Sequence, residues 1–134
     1  RNKVESFGFD ISDKVRFIKP LNFTDYNKLQ ICSIACLSDS GTINEESSIL
    51  NFPALNLRES HERPEGMEEA SVMLVGFNSD RVLQAIDILK GQSRGCERDL
   101  AIVADYSSSN VSKKVVRIIH SYTDYVNRIV WKKY

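Results

Sequence analysis

Short apolar runs alternate with apolar residues at helical spacing along most of the chain. The runs have the length and composition of strands covered on both faces, and we predict strands at 15–18, 34–37, 54–57 and 72–75. The helical spacing between and after them predicts helices at 26–33, 42–50 and 79–90. Strands and helices in this order predict an α/β domain, with a parallel sheet and helices on both of its faces.

Two of these helices carry end signals. Asn51 and Pro53 are expected to end the helix at 42–50. Ser79 is expected to cap the helix at 79–90, and Gly91 to stop it. The apolar positions of that helix should share one face, and they are Val82, Leu83, Ile86 and Leu89.

The last segment, 111–134, has a different pattern. Apolar residues recur there at helical spacing, at Val115, Ile119, Tyr122, Val126 and Ile129. The spacing predicts one long amphipathic helix, or two helices joined near Thr123 and Asp124. We expect this apolar C-terminal segment to pack toward an N-terminal domain that the sequence lacks.

Composition narrows the class of protein. A chain of 134 residues fits one domain. Its 18 basic and 18 acidic residues leave no net charge, which argues against a nucleic-acid partner and against a polybasic membrane contact. No apolar run approaches the ~20 residues that a membrane span needs. The chain does not begin with Met, and we interpret it as a fragment of a longer protein.

The cysteines favour a structural role. Cys32 and Cys36 are four residues apart in an apolar stretch, so we expect both as small buried residues on one helix face. A metal site or a disulfide is the less favoured alternative, because His61 and His120 are the only histidines and the cysteine count of three is odd. Unpaired cysteines are typical of the reducing cytoplasm, where we expect the protein to act.

The stretch at 37–46, Leu-Ser-Asp-Ser-Gly-Thr-Ile-Asn-Glu-Glu, is a candidate anion site. A strand ends there and a helix begins, so Ser40 and Gly41 lie where helix amides and the helix dipole favour a phosphate. Gly41 would let the phosphate approach the backbone. The alternative is an ordinary turn in which Thr42 and Glu45 form a capping box, and this signal alone favours that alternative.

Glu46 favours a nucleotide over a bare phosphate. A carboxylate repels a diphosphate, but one turn into the helix it could accept hydrogen bonds from both hydroxyls of a ribose. The alternative is a solvated surface carboxylate, which is the usual state of a helical Glu.

A second polar stretch, at 58–66, follows the third predicted strand. Arg63 precedes Pro64 and is therefore restricted to extended geometry. Its guanidinium could face a diphosphate or pair with Glu46 and orient it. The alternative is a solvated loop of charged residues.

Taken together, the two stretches resemble the non-hydrolysing UDP-N-acetylglucosamine 2-epimerases. Those proteins have Asp-Ser-Gly-Gly-x-x-Glu-Glu and then Thr-Glu-Arg-Pro-Glu; here the counterparts begin at Asp39 and at His61. Thr42 replaces the second Gly, and His61 replaces the Thr. With Phe-Thr-Asp-Tyr-Asn-Lys-Leu at 23–29 and Ser-Tyr-Thr-Asp-Tyr-Val-Asn at 121–127, these variants are similar to the branch that forms UDP-N-acetyl-L-fucosamine.

The resemblance implies a Rossmann-like fold, as the C-terminal domain of a GT-B-like two-domain enzyme. It implies that UDP binds here, with the diphosphate on Ser40 and Gly41, the ribose on Glu46 and the uracil near Tyr26. Thr42 belongs to the same substrate-binding set. Arg63 and His61 are candidate contacts of the diphosphate or the substrate, while His120 is expected to be structural.

The resemblance also implies a reaction. UDP is eliminated across C1 and C2 of the sugar and then re-added with C2 inverted, without a metal or a redox cofactor. The groups that transfer protons match nothing in this chain, so we expect this half alone to be inactive and the full-length protein to be a homodimer. The product would serve synthesis of bacterial surface polysaccharide.

Two other functions compete with this one. One is a nucleotide-sugar binding module without catalysis, and the other is the donor half of a GT-B glycosyltransferase. The sequence His-Glu-Arg-Pro-Glu-Gly at 61–66 resembles the epimerases and disfavours the transferase.

Overall fold

A computed structural model describes Val4 and residues 6–133. Three short parallel strands form one sheet in the order β1-β2-β3, with Leu37 beside Leu55 and Leu55 beside Met73. The strands are β1 (Cys36–Ser38), β2 (Ala54–Asn56) and β3 (Met73–Leu74). The helices are α1 (Phe23–Cys32), α2 (Ile43–Leu50), α3 (Pro64–Glu68), α4 (Ser79–Leu89), a 3-10 turn (Ala104–Tyr106) and α5 (Val111–Ile129).

Helices cover both faces of the sheet at β2, as predicted. Successive side chains of a strand point to opposite faces. Ala54 therefore packs on one face with Ile43 and Phe52, which are fully buried. Leu55 packs on the other face with Ala85 and Leu89 of α4. The core is thus built around the central strand, and the fold is an open, Rossmann-like parallel sheet.

The loops that matter for function leave the same edge of this sheet. Because the strands are parallel, their carboxyl ends lie side by side. The Leu57 amide bonds to the Ser38 carbonyl at 2.9 Å, and the Val75 amide bonds to the Asn56 carbonyl at 3.1 Å. The loops that begin after β1, β2 and β3 are consequently neighbours, and a ligand at this edge would meet all three.

The carboxyl end of α2 is fixed by distant parts of the chain. Asn51 takes the left-handed conformation, with φ of 54°, and ends the helix as predicted. Its amide group donates to the carbonyls of Gly95 at 3.0 Å and Glu97 at 2.6 Å. Arg98 donates to the carbonyls of Ser48 and Ile49. The Arg98 contacts satisfy carbonyls that a helix end leaves without partners, and the Asn51 contacts tie this end to the segment at 95–97.

The strand predicted at 15–18 is wrong. Val15, Phe17 and Ile18 are all at least half exposed, and the described sheet has no strand there. An apolar run becomes a strand only where a neighbouring strand pairs with it, and no strand of the described sheet pairs with residues 15–18. The strand predicted at 34–37 begins later, at Cys36, because Ile34 is exposed before the sheet starts.

Helix α4 has the predicted length but a different cap and face. Asn78, not Ser79, caps it, since the Asn78 side chain accepts hydrogen bonds from the amides of Asp80 and Arg81. Leu83 is 61% exposed, and Ala85 takes the buried position instead. Ala85 and Leu89 are four residues apart and share a face, whereas Leu83 lies to one side of it.

The predicted C-terminal helix is one continuous helix, α5, which passes through Thr123 and Asp124 without a break. None of its residues is buried. Most of its apolar side chains, including Ile119 and Tyr122, are more than half exposed. Among the residues that the structure describes, no helix combines the length and apolarity of a membrane span.

The prediction that Cys32 and Cys36 share a buried helix face is wrong. Cys32 is exposed at the end of α1, and Cys36 is half-buried in β1, where burial raises the pKa of its thiol. All three cysteines, including the exposed Cys96, are free thiols. Over Val4 and residues 6–133, no group of three or more His, Cys, Asp or Glu side chains is placed to hold a metal ion.

Candidate nucleotide site at the carboxyl edge of the sheet

The turn between β1 and α2 is held by hydrogen bonds among its small residues. The Ser40 amide donates to Ser38 Oγ at 3.0 Å, and the Thr42 amide donates to Ser40 Oγ at 3.3 Å. Ser40 Oγ and Thr42 Oγ1 are 3.0 Å apart and share a further hydrogen bond. These contacts fix Ser40 and Gly41 directly before α2, at the end of the helix that attracts anions.

The predicted capping box between Thr42 and Glu45 is wrong. Thr42 is the N-cap of α2 but makes no side-chain cap hydrogen bond. Its hydroxyl donates instead to Glu46 Oε1 at 2.8 Å. Glu45 accepts a hydrogen bond from Arg63 Nε at 2.9 Å. The turn is therefore not explained by self-capping, which was the simplest alternative to a ligand site.

Glu46 is half-buried and held by both of its oxygens, so it is not a solvated surface carboxylate. Oε1 accepts from Thr42, and Oε2 accepts from Gln30 Nε2 at 2.5 Å. Gln30 is itself buried, at 3% exposure, on α1. Each carboxylate oxygen can accept a second hydrogen bond. Glu46 can therefore receive two hydroxyl groups of a ligand without losing its protein partners.

Tyr26 lies near Glu46. It is 41% exposed and stands one helical turn before Gln30 on α1. Burial, and then the nearby Cys36 and Glu46, raise the pKa of the Tyr26 phenol. A neutral, half-exposed ring at this position is suited to stacking on a planar base.

Arg63 lies on the other side of Gly41. Its Nη2 is 3.9 Å from the position that a Cβ on Gly41 would take. The suggestion that Arg63 pairs with Glu46 is wrong, because Glu45 holds it: the Glu45 hydrogen bond, and then its charge, raise the pKa of the guanidinium. Glu45 projects toward the loop, and Glu46 projects toward α1. Glu45 therefore orients Arg63, and Glu46 remains available to a ligand.

A further tyrosine fastens the loop that carries Arg63. Tyr106 donates its hydroxyl proton to Glu65 Oε1 at 2.8 Å. Burial, and next this hydrogen bond, raise the pKa of Tyr106, while the amide of Glu65 itself, and next Tyr106, lower the pKa of Glu65. The contact joins the first turn of α3 to the 3-10 turn and so fixes the start of α3 beside Arg63.

His61 and His120 differ in their surroundings. His61 is half-buried in the loop after β2, and its Nδ1 is buried with no hydrogen bond to any described residue. His120 is exposed on α5, far along the chain from the turn. Only His61 lies in a loop of the candidate site, and its role as a ligand contact stays a prediction.

The structure therefore brings most of the predicted set together. Ser40, Thr42 and Glu46 form one hydrogen-bonded series, and Gly41 lies within it. Sequence reasoning missed Gln30 and Glu45. Gln30 could have been found, because it follows Tyr26 by four residues and so shares its helix face. Glu45 could not, since its partner Arg63 is 18 residues away.

An open parallel sheet with helices on both faces and such a turn at its carboxyl edge defines the class of protein, an α/β domain with a Rossmann-like fold. A family model described as UDP-N-acetylglucosamine 2-epimerase matches residues 1–120. The chain belongs to the UDP-N-acetylglucosamine 2-epimerase family.

Relatives and solved structures agree with this assignment. The UDP-N-acetylglucosamine 2-epimerase of Methanocaldococcus jannaschii is 28% identical over 106 residues, which are 79% of this chain and 27% of that protein. That of Neisseria meningitidis serogroup A is 32% identical, over 78% of this chain and 28% of that protein. A UDP-N-acetylglucosamine 2-epimerase structure from Rickettsia bellii is 46% identical with a TM-score of 0.87, covering 99% of this chain and 38% of that one.

A second solved structure carries a ligand. The M. jannaschii UDP-GlcNAc 2-epimerase, in complex with UDP-GlcNAc and UDP, is 27% identical with a TM-score of 0.72, covering 90% of this chain and 30% of that one. The chain thus spans well under half the length of the relatives that it matches.

Proposed function

We propose that this chain is the UDP-holding part of an enzyme that inverts C2 of a UDP-linked N-acetyl amino sugar. The observation that carries the proposal is Glu46. It is anchored by Gln30 and Thr42 one turn inside the helix whose start is the Ser40–Gly41 turn. An anion site and a ribose-binding carboxylate then lie one helical turn apart. The M. jannaschii relative, whose structure holds UDP-GlcNAc and UDP, supports the same ligand.

In this proposal UDP lies across the carboxyl edge of the sheet. Ser40, Gly41 and Thr42 receive the diphosphate at the amino end of α2. Glu46 accepts the ribose hydroxyls, and the ring of Tyr26 lies next to the uracil.

Arg63 adds a positive charge on the far side of Gly41. Since Glu45 already fixes its direction, little side-chain entropy is lost when the diphosphate arrives. His61 is a second contact from the same loop, to the diphosphate or to the sugar.

The proposed reaction breaks the C1–O bond and removes the proton from C2, which gives a 2-acetamidoglycal with its double bond between C1 and C2. UDP then adds back to C1, and a proton adds to the opposite face of C2. The leaving diphosphate gains negative charge as the bond breaks. Helix amides and Arg63 therefore stabilise the transition state more than the ground state.

The proton transfers belong to another part of the enzyme in this proposal. The chain would be the C-terminal domain of a GT-B-like pair, with the substrate in the cleft between the domains. The exposed apolar face of α5 would then pack against the rest of that longer protein. Its cytoplasmic location and homodimeric state are further expectations.

The proposed substrate is a UDP-2-acetamido-2,6-dideoxy-L-hexose, used in bacterial surface polysaccharide. Support comes from Thr42, which occupies the place of a glycine and links Ser40 to Glu46, and from His61. Comparing turnover of that sugar with turnover of UDP-N-acetylglucosamine by the full-length gene product tests this choice. Preference for UDP-N-acetylglucosamine would contradict it.

Calorimetric titration of the chain with UDP tests the site. Glu46→Ala should raise the Kd about 10- to 100-fold, because it removes hydrogen bonds to a charged group, and Ser40→Ala should raise it about 2- to 10-fold. Gln30→Ala, which frees Glu46 to move, should have an intermediate effect.

Two substitutions serve as matched controls. Ser79→Ala changes a serine in the first turn of another helix, and Glu68→Ala removes an exposed carboxylate. Neither should alter the Kd for UDP. An affinity unchanged in both Ser40→Ala and Glu46→Ala would refute the assigned site.

An epimerisation assay tests the division of labour. We expect no turnover by the 134-residue chain, because none of its described side chains matches the proton-transferring groups of the family. Measurable turnover by this chain would contradict that division. Sugar transfer that required an acceptor would instead identify a glycosyltransferase.

A further inference from the structure

A carboxylate already fills the space above Gly41. A Cβ placed on Gly41 would meet Glu62 Oε2 at 3.4 Å, nearer than any atom of Arg63. The other oxygen of Glu62 accepts a hydrogen bond from Arg58 Nη2 at 2.6 Å. The negative end of an ion pair therefore lies over the residue to which the proposed function assigns the diphosphate.

The two arginines of this loop are held in different ways. Arg63 pairs with Glu45 of α2, whose side chain is 30% exposed. Arg58 pairs with Glu62, a loop residue whose side chain is 53% exposed. Exposed ion pairs are weak because water screens them and both side chains lose freedom. The Arg58–Glu62 pair is therefore the easier of the two to open.

Arg58 lies close enough to the turn at Ser40 and Gly41 for charges there to affect its pKa. The hydrogen bond to Glu62, and with it the charges of Glu62 and Asp39, raise the pKa of Arg58, whereas the charge of Arg63 lowers it. Asp39 directly precedes Ser40. The charged groups close to the guanidinium of Arg58 thus include Asp39, next to the turn that begins α2, and Arg63.

Two anions cannot share this space. A diphosphate seated on Gly41 would lie close to Glu62 Oε2, and like charges at that separation repel strongly where water is excluded. The side chain that must move is Glu62, and its departure leaves Arg58 without its partner next to a new anion.

We propose that the Glu62 carboxylate occupies the position of the diphosphate when no nucleotide is bound. The nucleotide displaces it, and Arg58 then binds the diphosphate in place of Glu62. Arg58 thereby becomes a binding residue alongside Ser40, Gly41 and Arg63. The affinity for UDP includes the cost of opening the Arg58–Glu62 pair. This inference rests on the proposed function, because it requires a diphosphate at Gly41.

Titration of the chain with UDP at low ionic strength tests the inference. Glu62→Gln removes the competing charge but keeps the shape, and it should lower the Kd for UDP about three- to tenfold. Arg58→Gln should raise that Kd by a similar factor. Neither change should affect binding of uridine, which has no phosphate.

A second ion pair provides matched controls. Lys90 and Asp87 on α4 form an exposed pair at 2.6 Å, and no residue of the candidate site belongs to it. Asp87→Asn and Lys90→Gln make the same changes in net charge as the two loop variants, and both should leave the Kd for UDP within about twofold of the parent value. Thermal melts establish that each variant folds, and Glu62→Ala serves if Glu62→Gln does not.

The possible results distinguish a failure of this inference from a failure of the proposed function. If Ser40→Ala and Glu46→Ala weaken UDP binding but Glu62→Gln leaves it unchanged or weakens it, the displacement of Glu62 by the diphosphate is refuted. The nucleotide site itself then remains supported. An equal gain in Asp87→Asn, or a gain for uridine, also refutes it. If the parent chain and all variants fail to bind UDP, both proposals are overturned.

Discussion

Two helices of this chain carry apolar residues on one face and have opposite surroundings. On α2, Ile43 is fully buried against Phe52 and the sheet. On α5, Ile119 is 57% exposed and Tyr122 is 58% exposed. An amphipathic pattern therefore tells which face of a helix is apolar, but burial also needs a second surface, and of these two helices only α2 has one.

The polar contacts of α2 and α5 also differ. The carbonyls at the end of α2 receive hydrogen bonds from Arg98, 50 and 49 residues away along the chain. The side-chain contacts of α5 are local, as in the edge-to-face pair of Tyr122 and Tyr125 at 6.4 Å between ring centres. Long-range contacts fix the site, and the stability of α5 within this chain depends on helix propensity alone.

The largest expected difference between the two regions comes from removing a core side chain. Phe52→Ala should reduce the free energy of unfolding by about 3–5 kcal/mol, because it leaves a cavity in the centre of the core. Urea denaturation followed by circular dichroism measures it. A loss below about 1 kcal/mol would mean that the α2 face of the sheet is no better packed than α5.

A smaller difference is expected for two asparagines in the left-handed conformation. Asn51→Gly keeps the backbone but removes the hydrogen bonds to Gly95 and Glu97, and should cost about 1–3 kcal/mol. Asn110, with φ of 63° before α5, has no side-chain cap hydrogen bond, so Asn110→Gly should change stability by less than about 0.5 kcal/mol. Equal losses of stability in Asn51→Gly and Asn110→Gly, measured by urea denaturation, would contradict the expected difference between the two positions.

The smallest effect is expected on α5 itself. Ile119→Lys should change the free energy of unfolding of this chain by less than about 0.5 kcal/mol, because the side chain is already exposed. Size-exclusion chromatography of both forms is the companion measurement. A clear loss of stability together with a change in oligomeric state would show that a second copy covers the α5 face.

Local signals in the sequence predicted the elements that depend on local physics. Asn51 ended α2 as predicted, and the long helix at the end of the chain is present. The cap of α4 was misplaced by one residue, and two other errors arose where distant residues decide. Residues 15–18 have a strand-like composition but no pairing partner in the described sheet, and Glu45 is taken from its expected capping role by Arg63.

The sequence predicted where the candidate site lies, but not which side chains contact one another there. The motif located Ser40, Gly41 and Glu46 at the carboxyl edge because parallel strands bring their ends together. It could not locate Gln30 as the partner of Glu46, since that contact depends on how α1 packs beside α2. Nor could it show that Glu62 lies over Gly41.

The hydroxyl of Thr42 has a consequence for how a ligand would be recognised. It contacts Ser40 Oγ at 3.0 Å and Glu46 Oε1 at 2.8 Å, so it touches both residues that would meet opposite ends of a nucleotide. Occupation of one end therefore changes the hydrogen bonds available at the other. The Kd for uridine should therefore differ between saturating pyrophosphate and none, and Thr42→Gly should abolish that difference.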